Sequence, residues 1–419
     1  MIKRALQNTG WLMSARGVNG VLSLGYLALA TRALGVADFG QFILAVTFAN
    51  ALAGISQFQT WQTVVRWGQS KETLPDATGF ALALDALTIV AGIVIAAVLL
   101  TYAGDWLPLP GWLRLETFAY TCVALLCIRS TPTGILRLHD KFASAAIADA
   151  VTSVVRIIGA ALAFFFANTI EGFLLAWAAA EVVTSATYWY FARRAQPLFL
   201  RHISLRRIPA RNEKAWAFVI GTSLSGMLSI SSRQVLVLLI GGLGGPALAG
   251  IYRVAAQLGE GLLKLAQALL RATYPELVKS PEVARSIAKR IAKIAIATGL
   301  ITVALSLVAG RWLIDLIAGP DFITAYTPMI LLSAAAAIEL GGASLEALMV
   351  ARGRAVTNFL LRAVPTACAL GALVWLIDIH GPAGAGMAVL GSSVATVIGL
   401  FIATRKDSGK LPSVENSTR

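Results

Sequence analysis

The sequence predicts an all-α integral membrane protein with about twelve transmembrane helices, arranged as two pseudo-symmetric six-helix lobes around a central cationic cavity. Three observations support this prediction: the composition, the spacing of the apolar segments and the placement of the basic residues. Of the 419 residues, 57% are hydrophobic and only 13% are charged, whereas roughly 25% are charged in a typical soluble domain. A soluble chain of this length could not cover its surface with so few polar side chains.

Apolar segments of spanning length recur along the whole chain, and Gly, Pro and charged residues separate them. Each segment reaches the roughly 20 residues that a transmembrane helix requires. The twelve predicted helices cover residues 11–31, 39–66, 78–102, 114–136, 143–167, 171–192, 214–240, 247–273, 288–310, 322–350, 356–377 and 384–403.

The basic residues alternate between the two sides of the predicted membrane. With a cytoplasmic N-terminus, the seven cytoplasmic segments hold 25 Lys and Arg residues and the six outer loops hold 3. Cytoplasmic loops of membrane proteins carry this excess of positive charge. The pattern predicts a multi-pass protein with both termini in the cytoplasm, and it accounts for most of the net charge of +14 without a nucleic-acid partner.

The longest interruption divides the chain near its middle. We predict an N-terminal lobe over residues 1–193, a basic cytoplasmic linker over 194–213, a C-terminal lobe over 214–404 and a cytoplasmic tail over 405–419. The linker mixes Leu, Ile and Phe with Arg, which suits an amphipathic segment on an anionic leaflet and equally suits a loop that only sets topology. Weakly similar motifs recur at an offset of about 210 residues, as expected of a parallel repeat.

Seven basic and six acidic residues fall inside the predicted helices. Each costs about 2.5–3.5 kcal/mol at the bilayer centre, so these side chains should face protein or water. The eighth helix carries a polar stripe on one face, formed by Arg253, Gln257, Glu260, Lys264, Gln267 and Arg271. A buried interface of salt bridges is the alternative interpretation of this stripe. The predicted substrate-binding residues of the cationic cavity are Arg16, Asn19, Gln57, Arg129, Arg233, Arg253, Gln257 and Lys264.

Other intramembrane charges are better interpreted as structural networks. Asp149 and Arg156 lie seven residues apart on one predicted helix, and Glu339 and Glu346 share a helix face from which they could pair with Arg362. The three Cys and three His residues have no metal-ligand spacing, and no phosphate-binding P-loop is present. The sequence therefore predicts no metal and no cofactor.

A cationic cavity predicts an anionic cargo. Arg binds phosphate and carboxylate groups through two parallel hydrogen bonds, and Lys adds a point charge. A lipid-linked diphosphate fits, because its tail can stay in the bilayer while its head crosses a polar groove. Coupling to H⁺ or Na⁺ is left open, with Glu260 and then Asp85 as candidate sites. Charge pairing is the alternative role of both acids, and we prefer it for Asp85.

Several short motifs resemble the polysaccharide transporters, the Wzx-type O-antigen flippases of the multidrug/oligosaccharidyl-lipid/polysaccharide (MOP) superfamily. These motifs are Thr31-Arg32-Ala33-Leu34-Gly35, Phe39-Gly40-Gln41-Phe42, Val65-Arg66, Gly134-Ile135-Leu136-Arg137, Ser232-Arg233 and Gly250-Ile251-Tyr252-Arg253. One position departs from the pattern, because Gln234 stands where the family often has an acid, which argues against ion coupling there.

This resemblance implies a MATE-like fold of two lobes and a transporter rather than an enzyme. It also implies a place in the bacterial inner membrane and the transport of undecaprenyl-diphosphate-linked oligosaccharides from the cytoplasmic to the periplasmic leaflet. The implied partners are the lipid-linked oligosaccharide, membrane lipids and the polysaccharide polymerase machinery.

Two other functions stay open at this point. A multidrug exporter of the same superfamily usually carries cations, which the excess of intramembrane bases disfavours. A membrane polymerase or ligase acting on the same lipid-linked glycan would carry a large outer loop, whereas the outer loops predicted here are short.

Overall fold

The structure, a computed structural model, describes residues 2–56, 58–272, 284–351 and 354–408. Every regular element in these ranges is helical, with short 3-10 turns between some helices. The α-helices are α1 (Ile2–Ser56), α2 (Thr60–Trp67), α3 (Leu74–Tyr102), α4 (Arg114–Leu126), α5 (Ser130–Leu138), α6 (Phe142–Phe166), α7 (Ile170–Ala195), α8 (Arg207–Arg211), α9 (Ala215–Ala272), α10 (Ala284–Ile317), α11 (Tyr326–Ala351), α12 (Ala355–His380) and α13 (Pro382–Ser408).

Ten segments of the described chain are long and apolar enough to cross a membrane. Two of the helices that contain them, α1 and α9, are each interrupted by a glycine with a non-helical backbone. Gly35 has φ 69° and ψ −175°, and Gly245 has φ 81° and ψ 172°. These positive φ values are strained for residues with a Cβ atom, which explains why glycine occupies both positions. At each glycine one helix ends and the next begins. The all-α, multi-pass fold predicted from the sequence is confirmed.

The two breaks also support the internal repeat. Gly35 and Gly245 lie 210 residues apart and share nearly the same backbone conformation. Gly40 and Gly250, five residues further along in each case, pack against each other. A Cβ atom on Gly40 would lie 1.9 Å from the Pro246 carbonyl oxygen, and one on Gly250 would lie 3.1 Å from Gly40 Cα. These glycines therefore permit a close backbone-to-backbone approach of the segments that follow the two breaks.

Two helices predicted to be continuous are broken in the structure. The predicted helix 39–66 ends at Ser56 and resumes as α2 at Thr60, and the predicted helix 114–136 divides into α4 and α5 around Ile128 and Arg129. Non-helical backbone inside a membrane protein requires alternative hydrogen-bond partners. Ser130 Oγ supplies one of them, because it accepts a hydrogen bond of 3.1 Å from the Trp61 backbone N–H.

The chain forms two compact units, Met1–Gly250 and Ile251–Arg419. In the first, α1 packs against α4 and α6, and α6 packs against α7. In the second, α11 packs against α10 and α13, and α12 packs against α13. The lobe boundaries at 194–213 remain a prediction.

The segment predicted as a linker packs closely against α3. His202, Arg207 and Arg211 all contact the Asp76 carboxylate, with N–O distances of 2.8, 2.9 and 2.9 Å. Ile208 is buried against Ala77 and its neighbours. Protein therefore covers part of the apolar surface of this segment, whereas Phe199 and Ile203 stay exposed.

Candidate functional site

The clearest charged cluster in the first unit joins three helical segments. Glu181 on α7 accepts a hydrogen bond from Arg129 Nη2 through Oε2 and another from Arg156 Nη2 through Oε1, both at 2.8 Å. Arg129 precedes α5 at the break after α4, and Arg156 lies on α6. The side chains are 31%, 20% and 8% exposed for Arg129, Arg156 and Glu181. We call these three residues the N-terminal triad.

Aromatic side chains surround Arg156. Its guanidinium carbon lies 5.5 Å from the Trp177 ring centre and 6.0 Å from that of Tyr26. The Tyr26 and Trp177 rings meet edge to face at 5.1 Å, and Phe42 packs on Trp177 at 5.0 Å. Such contacts hold a guanidinium through cation–π attraction without neutralising its charge.

The N-terminal triad carries a formal charge of +1, because two guanidinium groups share one carboxylate. Two buried polar atoms at the triad could still form hydrogen bonds with a ligand. Arg156 Nε and the Tyr120 hydroxyl are buried and have no hydrogen-bond partner among the described residues. Because guanidinium groups suit planar or tetrahedral anions, this arrangement can bind a phosphate or carboxylate group.

A second polar cluster connects the two helix breaks to α3. Asp85 accepts hydrogen bonds from Thr60 Oγ1 at 2.8 Å and from Thr131 Oγ1 at 2.5 Å. Thr60 begins the segment after the first break, and Thr131 lies at the start of the segment after the second. Asp85 is 7% exposed, and no ion pair of Asp85 is found among the described residues. From the sequence we preferred charge pairing for Asp85, but its described partners are the hydroxyl groups of two threonines.

The structure describes only part of the predicted cavity. Gln57 and the side chains of Arg16 and Lys264 lie outside the described residues. Asn19 is half-buried, and its Oδ1 atom has no hydrogen-bond partner within the described ranges. Arg233 is exposed and belongs to the first compact unit. The gathering of these residues in one central cavity remains a prediction.

Three residues of the polar stripe on α9 have described side chains, Arg253, Gln257 and Glu260, and they are more exposed than the apolar residues beside them. Val254, Ala255 and Leu258 are buried in the second unit, whereas Arg253 and Gln257 are half-buried and Glu260 is exposed. Buried apolar residues and more exposed polar residues thus alternate along the helix with the three- and four-residue spacing from which the stripe was predicted. A role of the stripe in binding remains a prediction.

The structural networks were predicted with mixed success. Arg362 on α12 pairs with Glu346 at 3.0 Å and with Glu339 at 3.8 Å, as expected from the sequence. Arg156, however, contacts Glu181, and Asp149 accepts a hydrogen bond of 2.7 Å from the Tyr188 hydroxyl. Glu181 is one of the six acids inside the predicted helices, and no helical spacing relates it to Arg129 or Arg156.

Comparison with known proteins identifies a family and a relative that each match most of the chain. The model of the family described as "Polysaccharide biosynthesis protein" matches residues 5–281. The inner membrane protein YghQ of Escherichia coli is 28% identical over 344 residues, which are 77% of this chain and 94% of that protein.

Solved structures share the fold at low sequence identity. The lipid II flippase MurJ in an inward closed conformation has a TM-score of 0.69 and 12% identity, covering 94% of this chain and 87% of that chain. The MATE multidrug transporter DinF-BH has a TM-score of 0.65 and 16% identity, covering 97% and 95%. The chain therefore shares the fold of these two transporters, and the match over residues 5–281 shows that it belongs to the polysaccharide biosynthesis protein family.

Proposed function

We propose that this protein flips an undecaprenyl-diphosphate-linked oligosaccharide from the cytoplasmic to the periplasmic leaflet of the bacterial inner membrane by alternating access. The oligosaccharide is an O-antigen, capsule or exopolysaccharide repeat unit, which the polysaccharide polymerase machinery then extends. The family match supports a role in polysaccharide biosynthesis. The inner-membrane relative supports the location, with both termini cytoplasmic as predicted from the basic loops.

The observation that carries this proposal is the charge of the N-terminal triad. Arg129 and Arg156 share the single carboxylate of Glu181, so a net positive charge lies within the apolar helices. A charge inside the membrane is costly, so intramembrane charges usually pair with another group or line the pathway of a transported substrate or ion. A diphosphate head group supplies the opposite charge transiently during its passage.

The membrane potential favours this transport direction. Two negative charges that move outward gain about 4–5 kcal/mol per 100 mV. ATP is therefore not required on thermodynamic grounds. Glu260 and Asp85 are our candidates for an additional H⁺ or Na⁺ site, and the exposed carboxylate of Glu260 and the lack of a described base beside Asp85 support them.

The test replaces each triad arginine by glutamine in the full chain. Arg129→Gln and Arg156→Gln should each lower the initial rate of flipping by roughly 10- to 100-fold, as expected for the loss of charge-assisted hydrogen bonds to the transported anion. The rate is measured with a fluorescent lipid-diphosphate oligosaccharide in proteoliposomes, by quenching from the outside. Arg114→Gln is the matched control, because Arg114 pairs with the 92% exposed Asp105 side chain.

Cells provide the second readout. Deletion of the gene should accumulate lipid-linked repeat units on the cytoplasmic leaflet, and Arg156→Lys should restore more export than Arg156→Gln. Wild-type export by both glutamine variants at equal protein levels would disprove the role of the triad. Export of cationic dyes, without any movement of the lipid-linked glycan, would favour the multidrug exporter instead.

A further inference from the structure

A cavity of about 260 Å³ lies between the end of α2 and the start of α9, both within the first compact unit. Its walls are formed by Arg66 and Trp67 on one side and by residues 212–215 on the other. The basic loops predict that these helix ends face the cytoplasm. The cavity is separate from the N-terminal triad, to which it contributes no residue.

Two of the cavity's charged side chains are basic and one is acidic. Arg66 and Lys214 outweigh Glu213, so the lining has a formal charge of +1. No ion pair of these three residues is found among the described residues. The lining therefore matches a ligand group with one negative charge.

Arg66 is held by aromatic rings in place of an acid. Its guanidinium carbon lies 4.3 Å from the Phe218 ring centre and 5.9 Å from that of Trp67. Trp67 itself packs edge to face on Phe218 at 5.4 Å. Stacking uses the face of the guanidinium and leaves the N–H groups at its edge able to bind oxygen atoms of an anion.

An exposed apolar stripe runs along α9 from Trp216, the residue that follows the cavity lining in the chain. Trp216, Ile220 and Leu224 follow one another at four-residue spacing and are 37%, 56% and 58% exposed. They belong to the apolar helical stretch Ala215–Leu224. Residues four apart share a helix face, and large apolar side chains exposed on such a helix contact lipid chains in a membrane protein.

We propose that this cavity binds the phosphodiester head group of a membrane phospholipid. Arg66 and Lys214 hold the phosphate, and an acyl chain lies along Trp216, Ile220 and Leu224. The charge of the lining suits a phosphodiester, which carries a single negative charge, and the adjoining stripe distinguishes a lipid from free phosphate. The site shares no residue with the N-terminal triad and binds a lipid of the cytoplasmic leaflet.

Native mass spectrometry of the purified full chain tests this proposal. The protein is delipidated in detergent and titrated with phosphatidylglycerol. Since a basic residue near a membrane surface contributes about 1 kcal/mol to anionic-lipid binding, Arg66→Gln and Lys214→Gln should each weaken the tightest lipid adduct by roughly fivefold, and the double variant by roughly twentyfold. Arg193→Gln is the matched control, because Arg193 is an exposed base of the same predicted face outside the cavity.

Glu213→Gln provides a variant that should gain affinity, because it removes the one acid among the described residues of the lining. Its phosphatidylglycerol adduct should tighten by roughly fivefold, and this result does not depend on the folding of the arginine variant. Equal lipid binding by the wild type and by both the double variant and Glu213→Gln would overturn the proposal. Displacement of the lipid by millimolar inorganic phosphate would overturn the assignment to a lipid.

Discussion

The N-terminal triad and the Arg362 network of the second compact unit have opposite composition. In the first unit two arginines share Glu181, whereas in the second Arg362 is shared by Glu339 and Glu346. Their exposure differs as well, because the Glu181 side chain is 8% exposed and those of Glu346 and Arg362 are 37% and 53% exposed. The N-terminal triad thus holds a net positive charge in a more enclosed environment.

This difference indicates which network depends on its protein partners. Glu346 follows the candidate span Pro320–Ala343, and Arg362 lies near the start of the span Thr357–His380. Water at the membrane surface can therefore solvate these two side chains when a partner is lost, and ion pairs in contact with water contribute little to stability. A buried charge that loses its partner has no such replacement. The N-terminal triad and the Arg362 network should therefore respond very differently to the loss of one partner.

The largest effect should come from the centre of the N-terminal triad. Glu181→Gln leaves the guanidinium groups of Arg129 and Arg156 without their shared carboxylate. Removing one partner of a buried ion pair costs about 3–5 kcal/mol, so this variant should unfold at a clearly lower temperature in detergent. Glu346→Gln is the matched control in the exposed network. Equal melting temperatures of the two variants would contradict the comparison.

A smaller loss is expected at the helix breaks of the first unit. Thr131→Val removes the hydroxyl that donates to Asp85, and a hydrogen bond to a charged group contributes about 1.5–3 kcal/mol. Thermal unfolding measures this change. Thr88→Val is the control, because Thr88 is buried on the same helix as Asp85 and, among the described residues, its hydroxyl bonds only the Leu84 carbonyl of its own helix. If both valine variants behave alike, Asp85 does not brace the breaks.

The smallest effect should appear in the second unit. Arg362→Gln removes the shared cation of a half-exposed network, and we expect a change below about 1 kcal/mol. Chemical unfolding at low and high salt checks this expectation, because screening weakens exposed ion pairs first. A loss as large as that of Glu181→Gln would show that Arg362 is buried when the protein functions.

Much of the fold could be predicted because it depends on local features of the chain. Apolar segments of spanning length predict helices wherever they occur, and the glycine-rich motifs around Gly35 and Gly245 lie where the two longest helices divide. The breaks before Thr60 and Ser130 were missed. Pro132 marks the second break, because its ring nitrogen cannot donate the helical hydrogen bond to the Ile128 carbonyl. The first break depends on the hydrogen bond from Thr60 to Asp85 on a distant segment, which no local pattern predicts.

The candidate site shows the same limit. The sequence placed Arg129 among the substrate-binding residues of the predicted cavity, and it predicted the pairing of Arg362 with two acids on a neighbouring helix. It did not identify Glu181 as the shared partner of Arg129 and Arg156. Glu181 lies 52 and 25 residues from these arginines, so no helical periodicity connects them.

The sequence by itself determined the class of the protein: its composition requires a membrane, its apolar segments provide the helices, and its charges include more intramembrane bases than acids. Only the tertiary structure decided how these charges are paired. Local spacing specifies which residues share a face of one helix, but the partner of a buried charge depends on which helices pack together. Hence the excess positive charge was predictable, and its concentration around Glu181 was not.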